Sequence, residues 1–296
     1  MAYRQTDQTI SRKGLTLPTE ISTEIWQNAQ HESAIMRLAR RVDLPSGGVS
    51  IPLIVSDPEA EWTKETHEIK VGNQTVKAKE LKPYKVGVIE TFSVEFLNDF
   101  NALYEQLVLR LPQAIAKKFD QTVLAGATKP GENFDQLHEC EAVDIQKDGW
   151  KGLIDARAKV AENGGILNGW ALAPQAEAVL LNQTDKNGRP LFVDAMAGEV
   201  AVPRLAGANA FTTRGAYIDG KKSVANTIGF GGDWTNAAWG MVNDIQFSVT
   251  EDASINVDGT VIHLFQSEMF AVRVTAELGF VIDDKKKFVR LTDTKA

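Results

Sequence analysis

An alternating stretch near the end of the chain constrains the fold more than any other feature of the sequence. In residues 269–282, MFAVRVTAELGFVI, apolar side chains recur at every second position. Because successive side chains of a strand point to opposite faces, this period predicts one long strand of about thirteen residues, against the usual five or six. Its apolar face would hold Phe270, Val272, Val274, Ala276, Leu278, Phe280 and Ile282.

The opposite face of this predicted strand carries two charged residues, Arg273 and Glu277, within an apolar run. They are separated by about 13 Å along a strand and therefore cannot pair with each other. Each side chain needs another partner or solvent. Two interpretations are open at this point: the wall of an active site, or the surface of a protein that catalyses no reaction.

Length and composition are those of an ordinary globular protein. The chain has 296 residues, 43% hydrophobic and 24% charged, which allows one large domain or two smaller ones. No run approaches the roughly 18 apolar residues of a membrane helix, and we expect no secretory signal in the polar N-terminal segment. The one cysteine, Cys140, excludes an internal disulfide, and the net charge of −7 disfavours tight nucleic-acid binding by the surface as a whole.

Residues 50–92 predict a long hairpin that turns near Gly72 and Asn73, with its charges segregated between two arms. The acidic arm holds Asp57, Glu59, Glu61, Glu65 and Glu68 against Lys64; the basic arm holds Lys70, Lys77, Lys79, Lys82 and Lys85 against Glu80. One interpretation pairs the two arms across the hairpin. We favour the other, a projecting loop that lies on a neighbouring subunit, because few large apolar residues root it and an isolated hairpin is marginally stable.

The most regular helical pattern covers residues 100–126. Its apolar residues recur at four-residue steps: Leu103, Leu107, Leu111, Ile115, Phe119 and Val123. Because a helix has about 3.6 residues per turn, this stripe rotates by about 200° and should contact different partners along the helix. Pro112 should kink the helix and Gly126 should end it. Another helix is expected over residues 17–42.

Further along the chain, the pattern mixes helices with strands. Residues 150–165 and 174–185 predict helices, and several strand-like runs lie around them and towards the end of the chain. These strand-like runs are 166–174, 226–234, 237–244 and 245–252. The mixture predicts an α+β fold, in which helices pack on largely antiparallel sheets.

No motif supplies a convincing reaction centre. The sequence has no G-x-S-x-G motif, and Cys140 lies among acids that would raise the pKa of its thiol. The histidines lack metal-ligand spacing: His31, His67, His138 and His263. The glycine cluster at 229–232 lacks a phosphate-binding motif and is better explained by close backbone packing. These observations, beside a projecting hairpin, favour a protein that assembles over an α/β enzyme.

Six segments, in this order, resemble the major capsid proteins of tailed bacteriophages, which have the Hong Kong 97-like fold. The resemblance covers nearly the whole chain. The segments are 17–42 (N-terminal arm and helix), 51–100 (E-loop), 102–131 (spine helix and Gly/Pro loop), 170–192 (strand, helix and Asp-x-Asn-Gly-Arg-Pro-Leu turn), 228–252 (Gly-Asp-aromatic strand) and 265–291 (long strand, lysine-rich turn and last strand).

The resemblance implies an α+β, Hong Kong 97-like fold made of four parts. These parts are an N-terminal arm with a first helix, an E-loop hairpin, a P-domain with the spine helix and a long antiparallel sheet, and an A-domain. The expected ranges are 1–45 for the arm, 46–90 for the E-loop, 91–126 with 246–282 for the P-domain, and 127–245 with 283–296 for the A-domain.

The same resemblance implies a function. The chain would self-assemble through pentamers and hexamers into the icosahedral head shell around the double-stranded DNA of a tailed bacteriophage, with no enzymatic activity, metal or cofactor. An encapsulin-type bacterial nanocompartment, which shares this fold, is the alternative. The implied partners are a portal protein, separate scaffolding or decoration proteins, and DNA contacted non-specifically. The expected location is the virion, and the host bacterial cytoplasm during assembly, with no membrane association.

Charged residues of the hairpin and of the long strand are the expected inter-subunit contacts. They are Glu61, Lys64, Glu65, Glu68, Lys70, Lys77, Lys79, Lys82, Arg273 and Glu277. The arm begins almost at Met1, whereas many relatives carry a scaffolding region that a protease removes. We therefore expect separate scaffolding or none, and no maturation cleavage of this chain.

The first prediction concerns covalent cross-links between subunits. Some members of the resembled family form lysine–asparagine isopeptide bonds, and Lys64, Lys70, Lys77 and Lys79 are candidate donors. No acceptor asparagine or catalytic glutamate can be matched in this sequence, so we expect shells without such bonds. Assembled protein boiled in SDS should run as one monomer band on a gel; a ladder of oligomers would contradict this expectation.

Overall fold

The computed structural model describes residues 33–54, 62, 76–93, 100–146, 149–184, 204–220, 225–242, 246–257 and 259–293. Its α-helices are α1 (Ala34–Leu38), α2 (Phe100–Val123), α3 (Gly149–Glu162) and α4 (Pro174–Leu181). Its strands are β1 (Arg40–Asp43), β2 (Val49–Ile54), β3 (Val76–Leu81), β4 (Tyr84–Ser93), β5 (Glu141–Asp144), β6 (Gly169–Leu172), β7 (Arg204–Leu205), β8 (Ala208–Thr212), β9 (Asn226–Gly232), β10 (Ala237–Met241), β11 (Gln246–Thr250), β12 (Ser254–Val257), β13 (Thr260–His263), β14 (Met269–Ile282) and β15 (Phe288–Asp293).

The predicted long strand is confirmed as β14, which spans 14 residues and organises a five-stranded sheet. On one side β14 pairs antiparallel with β10 and β11, and on the other side with the whole of β4. Strand β1 extends the sheet by pairing parallel with β10. The mixed sheet and its helices agree with the predicted α+β class.

A six-stranded sheet forms the second layer of the fold, in the strand order β5-β15-β9-β6-β8-β7. Helices α3 and α4 pack on it through the buried side chains of Leu153, Val160 and Leu180. Strand β9 is buried throughout, and its Gly231 lies against Trp170, which confirms the close packing expected for the glycine cluster. No helix in the described ranges is long and apolar enough to cross a membrane.

One strand within the range expected for the A-domain, β10, pairs in the five-stranded sheet. Strand β10 falls within residues 127–245, yet it pairs with β14 in the five-stranded sheet. Strand β15 lies between β5 and β9 in the six-stranded sheet. The chain therefore passes between the two sheets at the 3-10 turn of Trp234–Asn236, immediately before β10.

The inner face of β14 packs against helix α2 and builds the main core. The predicted alternation is confirmed, because seven side chains on this face are buried to 3% exposure or less: Phe270, Val272, Val274, Ala276, Leu278, Phe280 and Ile282. From α2, Ile115, Phe119 and Val123 join the same cluster. Phe119, Phe134 and Phe280 form an aromatic triangle with ring centroids 6.2 to 6.3 Å apart.

Helix α2 confirms the helix predicted over residues 100–126 in most of its extent. It begins at Phe100, continues through Pro112 and ends at Val123, with 24 residues. Gly126 follows with a left-handed φ of 65°, and the N–H of Ala127 bonds to the carbonyl of Gln121. Such a glycine satisfies helix-end carbonyls without Cβ strain, which explains why the helix stops there. The kink expected at Pro112 stays a prediction.

The helix predicted over residues 17–42 was wrong at its end. Only Ala34–Leu38 is helical among its described residues, with Ser33 as the N-cap, and Arg40–Asp43 forms β1 instead. The registered pairing of β1 with β10 supplies backbone hydrogen bonds that outweigh local helix propensity. Residues 17–32 lie outside the described part of the chain.

The aromatic triangle generates a stability prediction. Phe280→Ala should lower the free energy of unfolding by about 3–5 kcal/mol, because it removes a fully buried ring and leaves a cavity between α2 and β14. Urea unfolding of the unassembled chain measures the change. The matched control is Phe265→Ala, whose ring is 79% exposed and should cost less than about 0.5 kcal/mol. Equal losses in both variants would contradict the central position of the triangle.

Candidate assembly interface

The base of the charged hairpin is anchored on the five-stranded sheet. Strands β2 and β3 pair antiparallel, from Val49 opposite Leu81 to Ile54 opposite Val76, which confirms the hairpin at its base. Leu81 is fully buried and packs with Ile51, and with Leu44 and Val281 of the neighbouring elements. The base is therefore better rooted than the sequence indicated. The predicted turn at Gly72 and Asn73 lies outside the described residues.

Lys79, one of the predicted contacts, bonds within its own chain. Its Nζ lies 2.6 Å from the carboxylate of Asp135 and donates to the carbonyl of Ile282 at 2.6 Å. The same carboxylate accepts the N–H of Ile282 at 2.8 Å, and the N–H of Asp135 donates to the carbonyl of Phe280. These bonds join the hairpin base, the loop after α2 and the end of β14. The Asp135 side chain is only 14% exposed, so this ion pair is better shielded than a surface pair.

Lys82 also has a partner nearby, but a solvent-exposed one. Its Nζ lies 2.7 Å from the carboxylate of Glu80, which also accepts from the side-chain amide of Asn133 at 3.3 Å. The hydrogen bond from Lys82 lowers the pKa of Glu80 below its usual value. Exposed pairs of this kind contribute little to stability because solvent screens them. Both side chains remain accessible to another molecule.

Arg273 and Glu277 lie on the outer face of β14 and take partners on adjacent strands, as their separation required. Arg273 donates to the hydroxyl of Ser248 on β11 at 3.4 Å. Glu277 lies 3.9 Å from Lys85 on β4, its registered neighbour. Around these two residues the outer face is exposed to solvent, but its end at Gly279 and Val281 is buried under the hairpin base. The inner face carries the core. The charges that suggested a site are therefore cross-strand contacts on an exposed sheet.

The other predicted contacts belong to the hairpin in the sequence. Lys77 lies on β3 opposite Leu53. The remaining residues lie outside the described part of the chain: Glu61, Lys64, Glu65, Glu68 and Lys70. Trp62, the described residue of this loop, is completely exposed, with a relative exposure of 105%. A large aromatic side chain is therefore exposed at this position.

The sequence analysis missed a buried polar cluster around Asp120, on the second side of α2. The Asp120 carboxylate accepts hydrogen bonds from the hydroxyl of Ser33 at 2.6 Å, the N–H of Ala34 at 3.1 Å and the hydroxyl of Thr213 at 2.5 Å. It thereby joins three segments that are distant in sequence: the start of α1, helix α2 and the turn after β8. The signal available in the sequence was an acidic residue, Asp120, next to Phe119 within the apolar pattern of the helix.

Close backbone contact accompanies this cluster. Gly215 lies in the 3-10 turn of Arg214–Ala216, and a Cβ at that position would lie 2.5 Å from the Cβ of Asp120. Only glycine fits there without a shift of the helix. Burial raises the pKa of Asp120 to about 6, although the hydrogen bonds from Ser33 and Thr213 oppose this shift.

The described residues hold no group of three or more metal-ligating side chains. Cys140 is buried, and desolvation raises the pKa of its thiol to about 12, so it is a poor nucleophile. What the chain presents instead is a rigid two-sheet body, an anchored hairpin and an open sheet face with charges.

The comparisons with known proteins identify the family. The Phage capsid family model matches residues 13–293, and the chain belongs to that family. It is 29% identical over 293 residues to a probable major capsid protein of Mycobacterium phage D29, covering 94% of this chain and 90% of the relative.

Solved structures share the fold. A chain from Gordonia phage Cozz superposes with a TM-score of 0.71 at 20% identity, covering 90% of this chain and 87% of that one. The capsid of an empty GTA particle gives a TM-score of 0.61 at 13% identity, covering 99% of this chain and 96% of that one. The mixed α+β architecture is therefore one found in phage capsids.

The pKa of Asp120 generates a prediction about pH. The folded chain keeps the proton up to about pH 6, whereas the unfolded chain releases it near 3.8, so the folded state binds more protons between these values. The contribution of Asp120 to the free energy of unfolding therefore falls as pH rises from about 4 to about 6, by about 3 kcal/mol at most. Asp120→Asn should remove this decline. The measurement is urea unfolding of both chains between pH 4.5 and 7.5.

This prediction is tested by how the free energy of unfolding changes with pH, and not by the difference between the two chains at one pH. Asp120→Asn also weakens the hydrogen bonds with Ser33 and Thr213, which lowers stability by a similar amount at every pH. The difference between the two chains should therefore shift in favour of the variant as pH rises. Parallel stability curves across this range would show that the carboxyl group of Asp120 does not titrate there.

Proposed function

We propose that this chain is the major capsid protein that self-assembles into the icosahedral head shell around the double-stranded DNA genome of a tailed bacteriophage. The family match over residues 13–293 carries the proposal. The relative from Mycobacterium phage D29 supports it, because that protein is described as a probable major capsid protein and aligns over nearly its whole length. The encapsulin-type alternative has no observation that favours it.

The proposed mechanism is assembly from one rigid subunit with adaptable contacts. In an icosahedral shell, a single sequence must occupy both pentamers and hexamers, so its contacts must tolerate small rotations between subunits. The β14–α2 core supplies the rigid part, because its buried face is closely packed. The hairpin and the open face of the five-stranded sheet supply polar contacts, which tolerate rotation better than a rigid apolar face does.

The proposal assigns different tasks to the charges of the hairpin. Lys79 holds the hairpin base through Asp135 and the carbonyl of Ile282, whereas Lys82 pairs with Glu80 on the exposed surface. The charges further along the loop meet opposite charges on an adjacent subunit; these are Glu61, Lys64, Glu65, Glu68, Lys70 and Lys77. Arg273 and Glu277, on the open sheet face, are further contact residues of this proposal.

The proposal also covers the division into arm, E-loop, P-domain and A-domain, with β10 grouped with the P-domain sheet. Contact with the packaged DNA should be diffuse, because the chain has a net charge of −7 and counterions must mediate much of it. A portal protein and separate scaffolding or decoration proteins complete the head. The chain itself acts as a structural component and not as an enzyme.

Charge reversal in the hairpin tests the proposal. Lys64→Glu, Lys70→Glu and Lys77→Glu, combined, should raise the protein concentration needed for shell formation by about tenfold or more, because like charges then meet across the interface. Negative-stain electron microscopy counts closed shells, and circular dichroism checks that the monomer is folded. The wild-type chain must form closed shells in the same experiment; its failure to do so would contradict the proposed function.

The matched control changes the net charge by the same amount elsewhere on the surface. Lys117→Glu, Lys151→Glu and Lys286→Glu replace three exposed lysines on other elements. This control should assemble close to the wild-type concentration. Normal shells from the hairpin variant, or an equal defect in the control, would refute the assignment of the loop charges to the interface.

A further inference from the structure

One side of helix α2 is left uncovered by the described part of the chain. Its inner side packs on β14, and on a second side Asp120 is bonded to the start of α1 and to the turn after β8. The side chains on the remaining side are exposed: Arg110, Gln113, Ala114, Lys117 and Lys118. Because a helix has about 3.6 residues per turn, these five positions lie within one arc of about 140°. We call this arc the basic face of α2.

The basic face carries positive charge and no acid. Its charged residues are Arg110, Lys117 and Lys118, and none of them has an ion pair within the described ranges of the chain. Among the described side chains of α2 the one acid is Asp120, which is fully buried. The positive charge of this face is therefore not compensated by its own helix.

Arg214 adds a fourth cation at the border of the basic face. Its side chain is exposed and likewise has no ion pair among the residues that the structure describes. It belongs to the 3-10 turn that packs on α2, where a Cβ at Gly215 would lie 2.5 Å from the Cβ of Asp120. Since Asp120 is less than one helical turn from Lys117, Arg214 lies beside the basic face.

Other charged surfaces of the protein are mixed in sign. On the exposed side of helix α3 the exposed charges are two of each sign: Lys151, Asp155, Arg157 and Glu162. In the lysine-rich turn before β15, Lys285 lies 3.4 Å from Glu139. In a chain with a net charge of −7, the basic face of α2 is therefore a local concentration of positive charge.

The composition of the basic face favours a polyanion over an apolar partner. Its uncharged members, Gln113 and Ala114, supply no large aromatic side chain of the kind that dominates many protein–protein interfaces. Duplex DNA carries one negative charge per about 1.7 Å of its axis, and lysine and arginine bind its phosphates without reading the sequence. Arg110 and Lys117 are about 10 Å apart along α2, so both can contact one duplex.

We propose that the basic face of α2, together with Arg214, is the surface through which this chain contacts the phosphates of duplex DNA. The inference rests on the proposed shell function and deepens it, because it localises the DNA contact and turns the α2 side of the subunit towards the lumen. A face with about four phosphate contacts binds DNA weakly, but the many copies in a shell present it together.

Neutralising the basic face tests this inference on the unassembled full-length chain. Arg110→Gln, Lys117→Gln and Lys118→Gln, combined, should weaken binding to a fluorescein-labelled DNA duplex by about tenfold or more at about 50 mM salt. The slope of log K against log salt concentration should become shallower by about 2.7, because each lost phosphate contact contributes about 0.9. Fluorescence anisotropy measures both quantities, and circular dichroism checks that the variant is folded.

The matched control removes one arginine and two lysines from other exposed positions: Lys151→Gln, Arg204→Gln and Lys286→Gln. Its affinity should stay within about twofold of the wild-type value, because charges that lie farther from the DNA than a Debye length are screened. Equal losses in the two variants, or no binding by the wild-type chain, would overturn the inference. Tighter binding of poly-glutamate than of DNA would assign the face to an acidic protein segment and overturn it as well.

Closed shells give a second measurement, which separates this inference from the proposed function. Lys117→Cys should stay unlabelled by a maleimide too large to pass the shell, whereas Ser248→Cys, on the opposite and exposed side of the five-stranded sheet, should react. Both variants should react before assembly, and the buried Cys140 gives little background. Equal labelling in closed shells overturns the inference and leaves the shell function intact. Absence of closed shells from wild-type chains overturns the proposed function, and the DNA-binding measurement does not depend on that result.

Discussion

The burial of one face of β14 against helix α2 is the constraint on which the other elements depend. Strand β14 pairs with β4 on one side and with β10 and β11 on the other, so the hairpin exit and the passage to the six-stranded sheet both meet there. On its other side, α2 is held by the Asp120 carboxylate, which bonds to Ser33 and Thr213. The helix is thus fixed by apolar packing and by buried hydrogen bonds at once.

The charged residues of the described surface differ in how firmly their own chain holds them. Lys79 belongs to the fixed group because the Asp135 carboxylate and a strand carbonyl hold its ammonium group. Glu277 and Arg273 have only long contacts to neighbouring strands on an exposed face. Such weak contacts exchange easily for a partner on another chain, at little free-energy cost. The chain belongs to the phage capsid family.

Strong periodicity made β14 and α2 predictable from the sequence, because each pattern extends over many residues and is reinforced by burial. Residues 40–42 were assigned to a helix because a single sequence does not show that β10, nearly two hundred residues later, offers a pairing edge. The partners of Lys79 were hidden for a similar reason. Asp135 and Ile282 are distant in sequence from Lys79, so this lysine resembled a free surface charge. Asp120 was visible as an acid in an apolar ladder, but its partners were not.

The bonds between Lys79, Asp135 and Ile282 determine how force passes through the molecule. They join the hairpin base to the end of the same strand that carries the core, so the base cannot bend independently of the sheet. In the proposed shell, a pull on the hairpin by a neighbouring subunit would therefore reach β14 and, through Phe280 and Phe119, helix α2. The closely packed centre of the subunit, and not the root of the hairpin, would then carry that load.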